Sequence, residues 1–465
     1  MKNNRITPSV LSEIQAAVGS DCLYHDAETL NLHSSDESKN LYYSPEIVVI
    51  PRDTEGVSRL MKICNEHNIP VTVQGGLSGL SGAALPIEGG VALSMKRFDK
   101  ILNIDKANFQ VTTEPGVITE YLQNVLKDND LFYPPDPQGR GWSFIGGNVS
   151  TNAGGPKCVK YGVTRDYVLN LEIVLPSGEV IWTGANTLKN STGYNLTQLM
   201  IGSEGTLAVV TKIVLKLLPL PTVNLLLLAP FFNTEDACAA VAAIFQAGVV
   251  PSGLEFMDRV AVDYASRYLG VPPLSIEHDA HLFIEVDGTN LDVLHQDCEK
   301  IAMILQDFNV GDILFADNDA QKSELWKLRR NSGNSMINLT KERLGEDTVV
   351  PRAALPAQMR GVKQIGEKYN LKISNVGHLG DGNMHIFIVS DDEPTEEWYE
   401  RARQAKREIF ELTKSLNGML SAEHGVGFIQ KPYMDIFFGE THLAILRGIK
   451  KVFDPNGILN PQKLF

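Results

Sequence analysis

Cysteine is scarce in this sequence, and so are unbroken apolar runs. Five cysteines, at positions 22, 64, 158, 238 and 298, are scattered through 465 residues, and no C-x-x-C pair occurs. This excludes a zinc ribbon or an iron–sulfur cluster held by the chain, because such ligands come in closely spaced sets. Scattered, odd-numbered thiols fit a reduced state and a cytoplasmic location. The most apolar stretch, 206–230, is interrupted by Lys212, Lys216, Pro219 and Pro221. It cannot supply the ~20 uninterrupted apolar residues of a membrane span. The first ten residues are mostly polar and lack the apolar run of a secretory signal. Positive charge is also in deficit: Lys plus Arg total 42 against 56 Asp plus Glu, for a net charge of −14. An acidic surface argues against nucleic acid as a partner. It still permits a small anionic substrate held by a few arginines. No G-x-G-x-x-G and no Gly-Lys dipeptide occur, so the Rossmann fingerprint and the Walker A loop are both missing.

What is present is globular. Hydrophobic residues make up 43% and charged residues 21%, and the length suggests about two or three domains. From residue 46 onward, short β-branched runs alternate with helical patterns. Glu46–Ile50 reads as a buried strand ending at Pro51. Residues 54–68 read as a helix with Thr54 as N-cap, and Pro70–Val73 as the next strand. Strands around 207–218 precede Pro219-Leu-Pro221, a rigid break suited to leaving a domain. Beyond it, helices are expected at 236–247, 291–309, 323–344 and 396–416, and strands at 281–286, 372–375 and 385–389. That order predicts an α+β sheet domain with helices on one face. The last 45 or so residues read as short elements.

Glycine clusters mark the first half. They include Gln74-Gly-Gly-Leu-Ser-Gly-Leu-Ser-Gly82, Gly146-Gly-Asn-Val-Ser-Thr-Asn-Ala-Gly-Gly155 and Gly202-Ser-Glu-Gly-Thr206, with Tyr133-Pro-Pro-Asp-Pro137 between. Each alone reads as tight turns at sheet edges. Together they suit a dinucleotide pyrophosphate, because glycine backbone approaches a ligand closely and presents N–H groups to phosphate oxygens.

A second constellation lies late in the chain. Gly377-His-Leu-Gly-Asp-Gly-Asn-Met-His385 reads as strand, turn and strand, which brings His378 and His385 to one point, and Ala422-Glu-His-Gly425 follows. These histidines could be satisfied core or turn residues. With Glu423, two imidazoles and a carboxylate also describe a catalytic site for zinc, manganese or iron(II). Adjacent residues of an extended chain point apart, so His424 can face a substrate while Glu423 faces a metal.

These motifs resemble, in order, those of the vanillyl-alcohol oxidase and p-cresol methylhydroxylase flavoprotein superfamily. Lys160-Tyr-Gly-Val-Thr-Arg-Asp166 and Phe453-Asp-Pro-Asn-Gly-Ile-Leu-Asn-Pro461 belong to the same pattern, which runs from about Asp36 to Phe465. Within it, the chain is most similar to FAD-dependent D-2-hydroxyacid dehydrogenases, a group that includes D-lactate dehydrogenases, the glycolate oxidase large subunit and D-2-hydroxyglutarate dehydrogenase. The resemblance implies an α+β fold: a two-subdomain FAD-binding domain over 1–221, a cap domain with an antiparallel sheet over 222–417, and a segment over 418–465 returning to the first. It implies a non-covalent FAD along Gly75, Gly76, Leu77, Ser78, Gly79, Pro135, Asp136, Gly146, Gly147, Asn148, Thr151, Ala153, Gly154, Gly155, Glu204, Gly205, Val210 and Asn460. His378, His385 and Glu423 become the ligands of a divalent metal (Zn, Mn or Fe), and His424 the general base. Arg329, in Trp326-Lys-Leu-Arg329, becomes the carboxylate-binding residue; Arg330 follows where relatives often carry an acid.

The implied reaction is oxidation of a D-2-hydroxy acid, D-lactate foremost, to the 2-oxo acid, with electrons leaving to a quinone or a partner protein rather than to NAD. D-2-hydroxyglutarate members tend to carry Asn two residues past the second ligand histidine, and Phe387 stands here. That points to a small or apolar substrate side chain. Glycolate or D-2-hydroxyglutarate as substrate, and a non-catalytic flavin electron-transfer subunit of a larger complex, are the alternatives. A non-oxidising synthase of the alkylglycerone-phosphate type would lack the H-x-G-D-G-N-x-H motif.

Overall fold

The computed structural model describes residues 4–38, 40–275, 277–316 and 318–465. They form two compact units. One contains the chain up to Gly154, then Val163–Leu220 and Glu423–Phe465; the other contains Gly155–Gly162 and Pro221–Ala422.

The first unit holds two main sheets. In one, the strands run in the order Leu23–Tyr24, Ile47–Val49, Val91–Ser94, Val71–Gln74, the last three parallel. Ile47, Val48 and Val49 are all buried, and unbroken apolar runs are what parallel strands covered on both faces require. Helix Thr54–His67 connects two of these strands, and its Val57, Leu60, Met61 and Cys64 share a core with Val71, Val91 and Leu93. Asp53, rather than the expected Thr54, caps it by accepting from the Gly56 N–H at 2.8 Å. Thr54 begins the helix and turns its hydroxyl to Glu172. The other sheet is antiparallel, in the order Ile101–Asp105, Gln110–Thr113, Val209–Lys216, Val168–Val174, Val180–Trp182. Near the end of the chain, 440–453 form a 14-residue helix where only short elements were expected. No proline interrupts it, and Gly439 and Pro455 punctuate its ends. The chain then reaches Val71, whose N–H donates to Ile458 and whose carbonyl accepts from Asn460, both at 2.8 Å.

The second unit is built on one antiparallel seven-stranded sheet: Leu314–Ala316, Val223–Phe231, Ala280–Gly288, Gly253–Asp258, Lys372–Gly377, Asn383–Ser390, Glu342–Val349. Leu254, Phe256, Leu282, Ile284, Ile386 and Ile388 bury one face beneath helices Thr234–Gln246, Leu291–Leu305, Leu355–Tyr369 and Glu396–Ser415. Each such side chain is worth about 1.5–3 kcal/mol of burial. The opposite face also carries helices, contrary to the one-sided expectation. Arg259–Leu269, Asp319–Arg330 and Ser332–Leu339 cover Met257, Phe283, Phe387 and Val389. The single helix expected over 323–344 is broken at Asn331 and ends at Leu339, after which Glu342–Val349 pairs residue for residue with Asn383–Ser390. Pairing with a central strand overrides the helical propensity of Lys341–Leu344. Among the described residues, no helix is long and apolar enough to cross a membrane.

Candidate functional site

In the first unit, the glycine loops converge. A Cβ on Gly75 would lie 3.7 Å from Gly147, so Gly75–Gly79 and Gly146–Thr151 stand against each other, whereas a Cβ on Gly147 would meet none of the described residues within 4 Å. Leu77 is held at φ +55°, a left-handed conformation costly for a bulky residue and typical of ligand loops. Among the described residues, the N–H groups of Gly76, Leu77, Ser78 and Gly79 find no acceptor within the chain. Successive unused donors at a glycine turn suit the pyrophosphate of a dinucleotide. Asn148 is buried and donates to Thr119 at 2.7 Å; Thr151 donates to the Gly147 carbonyl. Pro135 accepts from Gln123 and Asp136 pairs with Arg140 at 2.6 Å, which fixes the Pro-Asp segment. The Ala153 carbonyl accepts from Thr164, and Gly154 and Gly155 lie where the chain passes from one unit to the other. Gly205 approaches Val73, Val210 pairs with Ile173, and Asn460 donates to the carbonyls of Ala83 and Glu204. Glu204 is buried and its carboxylate faces backbone: it accepts from Val426 and Gly427, both at 2.7 Å. Burial pushes its pKa up to about 7, against the pull of those two donors.

The second unit carries the histidines. Strands Lys372–Gly377 and Asn383–Ser390 form a hairpin whose turn has Gly382 at φ +89°, where a side chain would overlap the Val350 carbonyl. The turn brings the His378 and His385 rings to 5.3 Å between centroids, nearly perpendicular at 87°. Two imidazoles bound to one tetrahedral ion would stand roughly 5 Å apart. His378 Nδ1 lies 2.7 and 2.8 Å from the two oxygens of Glu255. A hydrogen bond there makes Nε2 the lone-pair site of the ring, the arrangement found behind metal-binding histidines. His385 Nε2 lies 3.0 Å from Asn383 Oδ1, and Asn383 donates in turn to Asp347. Asp347 also accepts from Ser421 and from the Ala422 N–H, the two residues that precede Glu423. In the first unit, His424 Nε2 stands 3.7 Å from Glu423 Oε1.

Arg329 is buried, with Nη2 2.7 Å from Glu255 Oε2 and Nη1 donating to Ser332. One turn earlier on the same helix, Trp326 Nε1 donates to Glu285 at 3.0 Å. Two strand carboxylates therefore hold this helix down. Lys157 pairs with Glu285, and Lys160 and Tyr161 with Asp287, so 155–162 is tied to the same sheet. Little in the sequence marks Glu255 as a functional residue. Its one signal there is an acid inside the apolar run Gly253-Leu-Glu-Phe-Met257.

Residues 220–464 match the family model described as FAD linked oxidases, C-terminal domain, and residues 45–184 match that of the FAD binding domain. The chain belongs to the FAD-linked oxidases. It is 37% identical over 438 residues to the glycolate oxidase subunit GlcD of Bacillus subtilis, covering 93% of this chain and 92% of that one. It is 36% identical over 469 residues to a D-lactate dehydrogenase of Anaerostipes hadrus, covering 99% and 98%. Among solved structures, p-cresol methylhydroxylase with bound substrate aligns with a TM-score of 0.79 at 17% identity, over 99% of this chain and 98% of that one. This likeness identifies the fold expected from the motifs. As an FAD-linked oxidase the protein is an oxidoreductase, and the glycine cradle is the part of the first unit suited to its flavin.

Proposed function

We propose that the protein oxidises a D-2-hydroxy acid, D-lactate foremost, to the corresponding 2-oxo acid and passes the electrons to a quinone or a partner protein. The observation that carries the reading is the paired imidazoles of His378 and His385, with the buried carboxylate of Glu255 joining His378 to Arg329. The donor set fits a divalent ion such as zinc, manganese or iron(II), held by His378, His385 and Glu423. When bound, FAD supplies the hydride acceptor and the ion supplies the charge that makes the substrate hydroxyl more acidic. His424 takes the hydroxyl proton as general base. Arg329 pairs with the substrate carboxylate, a role suited to its planar fork. Phe387 lies two residues beyond His385 on the same sheet face, with its ring against Gly345, and it favours a small apolar substituent on the substrate. The Arg343 guanidinium, 5.1 Å above that ring, favours instead a second carboxylate, as in D-2-hydroxyglutarate. A cytoplasmic location accords with five cysteines that form no disulfide among the described residues.

The deciding experiment mixes the FAD-loaded protein anaerobically with D-lactate, L-lactate, glycolate and D-2-hydroxyglutarate and follows the visible flavin band. Bleaching by D-lactate but not by its enantiomer is expected. Faster bleaching by D-2-hydroxyglutarate would transfer the reading to the dicarboxylate. No bleaching by any of the four in a metal-replete sample would sink the hydroxyacid reading in favour of a flavin electron carrier.

A further inference from the structure

Glu204 sits in the Gly202–Thr206 loop at φ +51°, and its own N–H is tied to the Ser150 carbonyl at 2.8 Å. Its backbone thus belongs to the glycine cradle, while its carboxylate points elsewhere. Oε1 accepts from Val426 and Oε2 from Gly427, each at 2.7 Å. These are the second and third residues after His424. Gly425, at φ +81°, passes so close that a Cβ there would lie 2.6 Å from Oε1. Past this turn, Phe428 and Ile429 donate to the Ser81 carbonyl, and the Leu464 N–H returns to Gly427.

We propose that Glu204 is a positioning residue: its carboxylate clamps the backbone turn after His424, and so fixes where Glu423 and His424 stand in the first unit. The catalytic part of this inference rests on the hydroxyacid reading above; the clamp itself does not. Two hydrogen bonds donated by consecutive N–H groups to the two oxygens of one buried carboxyl group define both the position and the tilt of a turn. Misplacing a base by about 1 Å can cost on the order of 100-fold in rate. A glutamate acting only as a flavin ligand would leave the 425–428 backbone indifferent to its loss.

The test uses the full-length, FAD-loaded protein and the variants Glu204→Gln, Glu204→Ala and Gly425→Ala. Glu204→Gln keeps the shape but can accept at one oxygen only. Gly425→Ala disturbs the same contact from the other side, so the inference stays testable if Glu204→Ala does not fold. Hydrogen exchange followed by mass spectrometry over 419–431 reads the clamp directly. Exchange at 425–428 should rise about tenfold in Glu204→Gln and further in Glu204→Ala, with FAD content unchanged. Flavin reduction by D-lactate should slow by about tenfold or more at unchanged KM. Unchanged exchange at 425–428 would overturn the clamp. Faster exchange with the wild-type reduction rate would overturn its catalytic part. Loss of FAD from Glu204→Gln with the segment still protected would return Glu204 to the cofactor ligands. Failure of the wild type itself to be reduced would count against the hydroxyacid reading alone, and exchange would then decide the clamp.

Discussion

Nδ1 of His378 lies 2.7 Å from Oε1 of Glu255, although the two are 123 residues apart in sequence. The carboxylate is fully buried, and its other oxygen meets Arg329. One acid thus orients two groups: an imidazole proposed to bind metal and a guanidinium proposed to bind substrate. Glu255→Gln should therefore weaken divalent-metal retention by about 10–100-fold, as loss of an outer-shell partner does. His385→Ala should abolish retention. Metal content after graded chelator treatment reads both. Wild-type retention in His385→Ala would remove that residue from the ligand set.

His424→Ala should slow flavin reduction by about 10²–10⁴-fold, the usual contribution of a general base, while FAD stays bound. Stopped-flow reduction with a deuterated C2 substrate distinguishes this from a defect in binding. A near-normal rate would show that another group takes the proton.

Arg329→Ala should act on stability as well as on KM. It takes the guanidinium away from the fully buried Glu255, and removing one partner of a buried pair costs about 3–5 kcal/mol. Arg329→Lys should recover part of the stability but less of the KM, because an ammonium lacks the fork geometry. Denaturant melts and steady-state kinetics report the two effects separately. A raised KM without destabilisation would mean that the ion pair contributes nothing to folding.

His281 sets a pH dependence. It is buried in the strand Ala280–Gly288, neither ring nitrogen has a hydrogen-bond partner among the described residues, and burial pushes its pKa down to about 4. The folded state thus resists a proton that the unfolded chain accepts near 6.5. Stability from this site is complete above that value and drains away as pH falls toward 4, by about 3 kcal/mol in total. His281→Leu should remove the loss, so melts of variant and wild type should diverge in the variant's favour from pH 7 to pH 4.5. A difference that does not change with pH would refute the assignment.

The sequence exposes what is local. Helix Thr54–His67, the glycine loops and the His378–His385 hairpin each follow from short-range pattern, because periodicity and turn chemistry are decided within a few residues. What it conceals is partnership at a distance. Glu255 reads as a stray acid until the strand order sets it beside His378. The start of the strand Glu342–Val349, up to Leu344, reads as the end of a helix because its pairing partners, from Ser390 for Glu342 to Asn383 for Val349, lie far downstream and no local signal announces them. The cap at Asp53 and the helix Glu440–Phe453 are hidden for a smaller reason, since boundaries depend on which backbone donors are left over.

The way the chain closes on Val71 bears on its synthesis. Strand Val71–Gln74 lies at the edge of its sheet, and among the described residues Ile458–Asn460 pairs with the backbone at its start. Several hundred residues separate that strand from its cover, an interval of tens of seconds of translation at about 5–20 residues per second. Throughout that time the nascent chain displays an unpaired strand edge beside apolar side chains, a template for pairing with other chains. Covering that edge during translation should therefore limit mispairing until Ile458–Asn460 arrives.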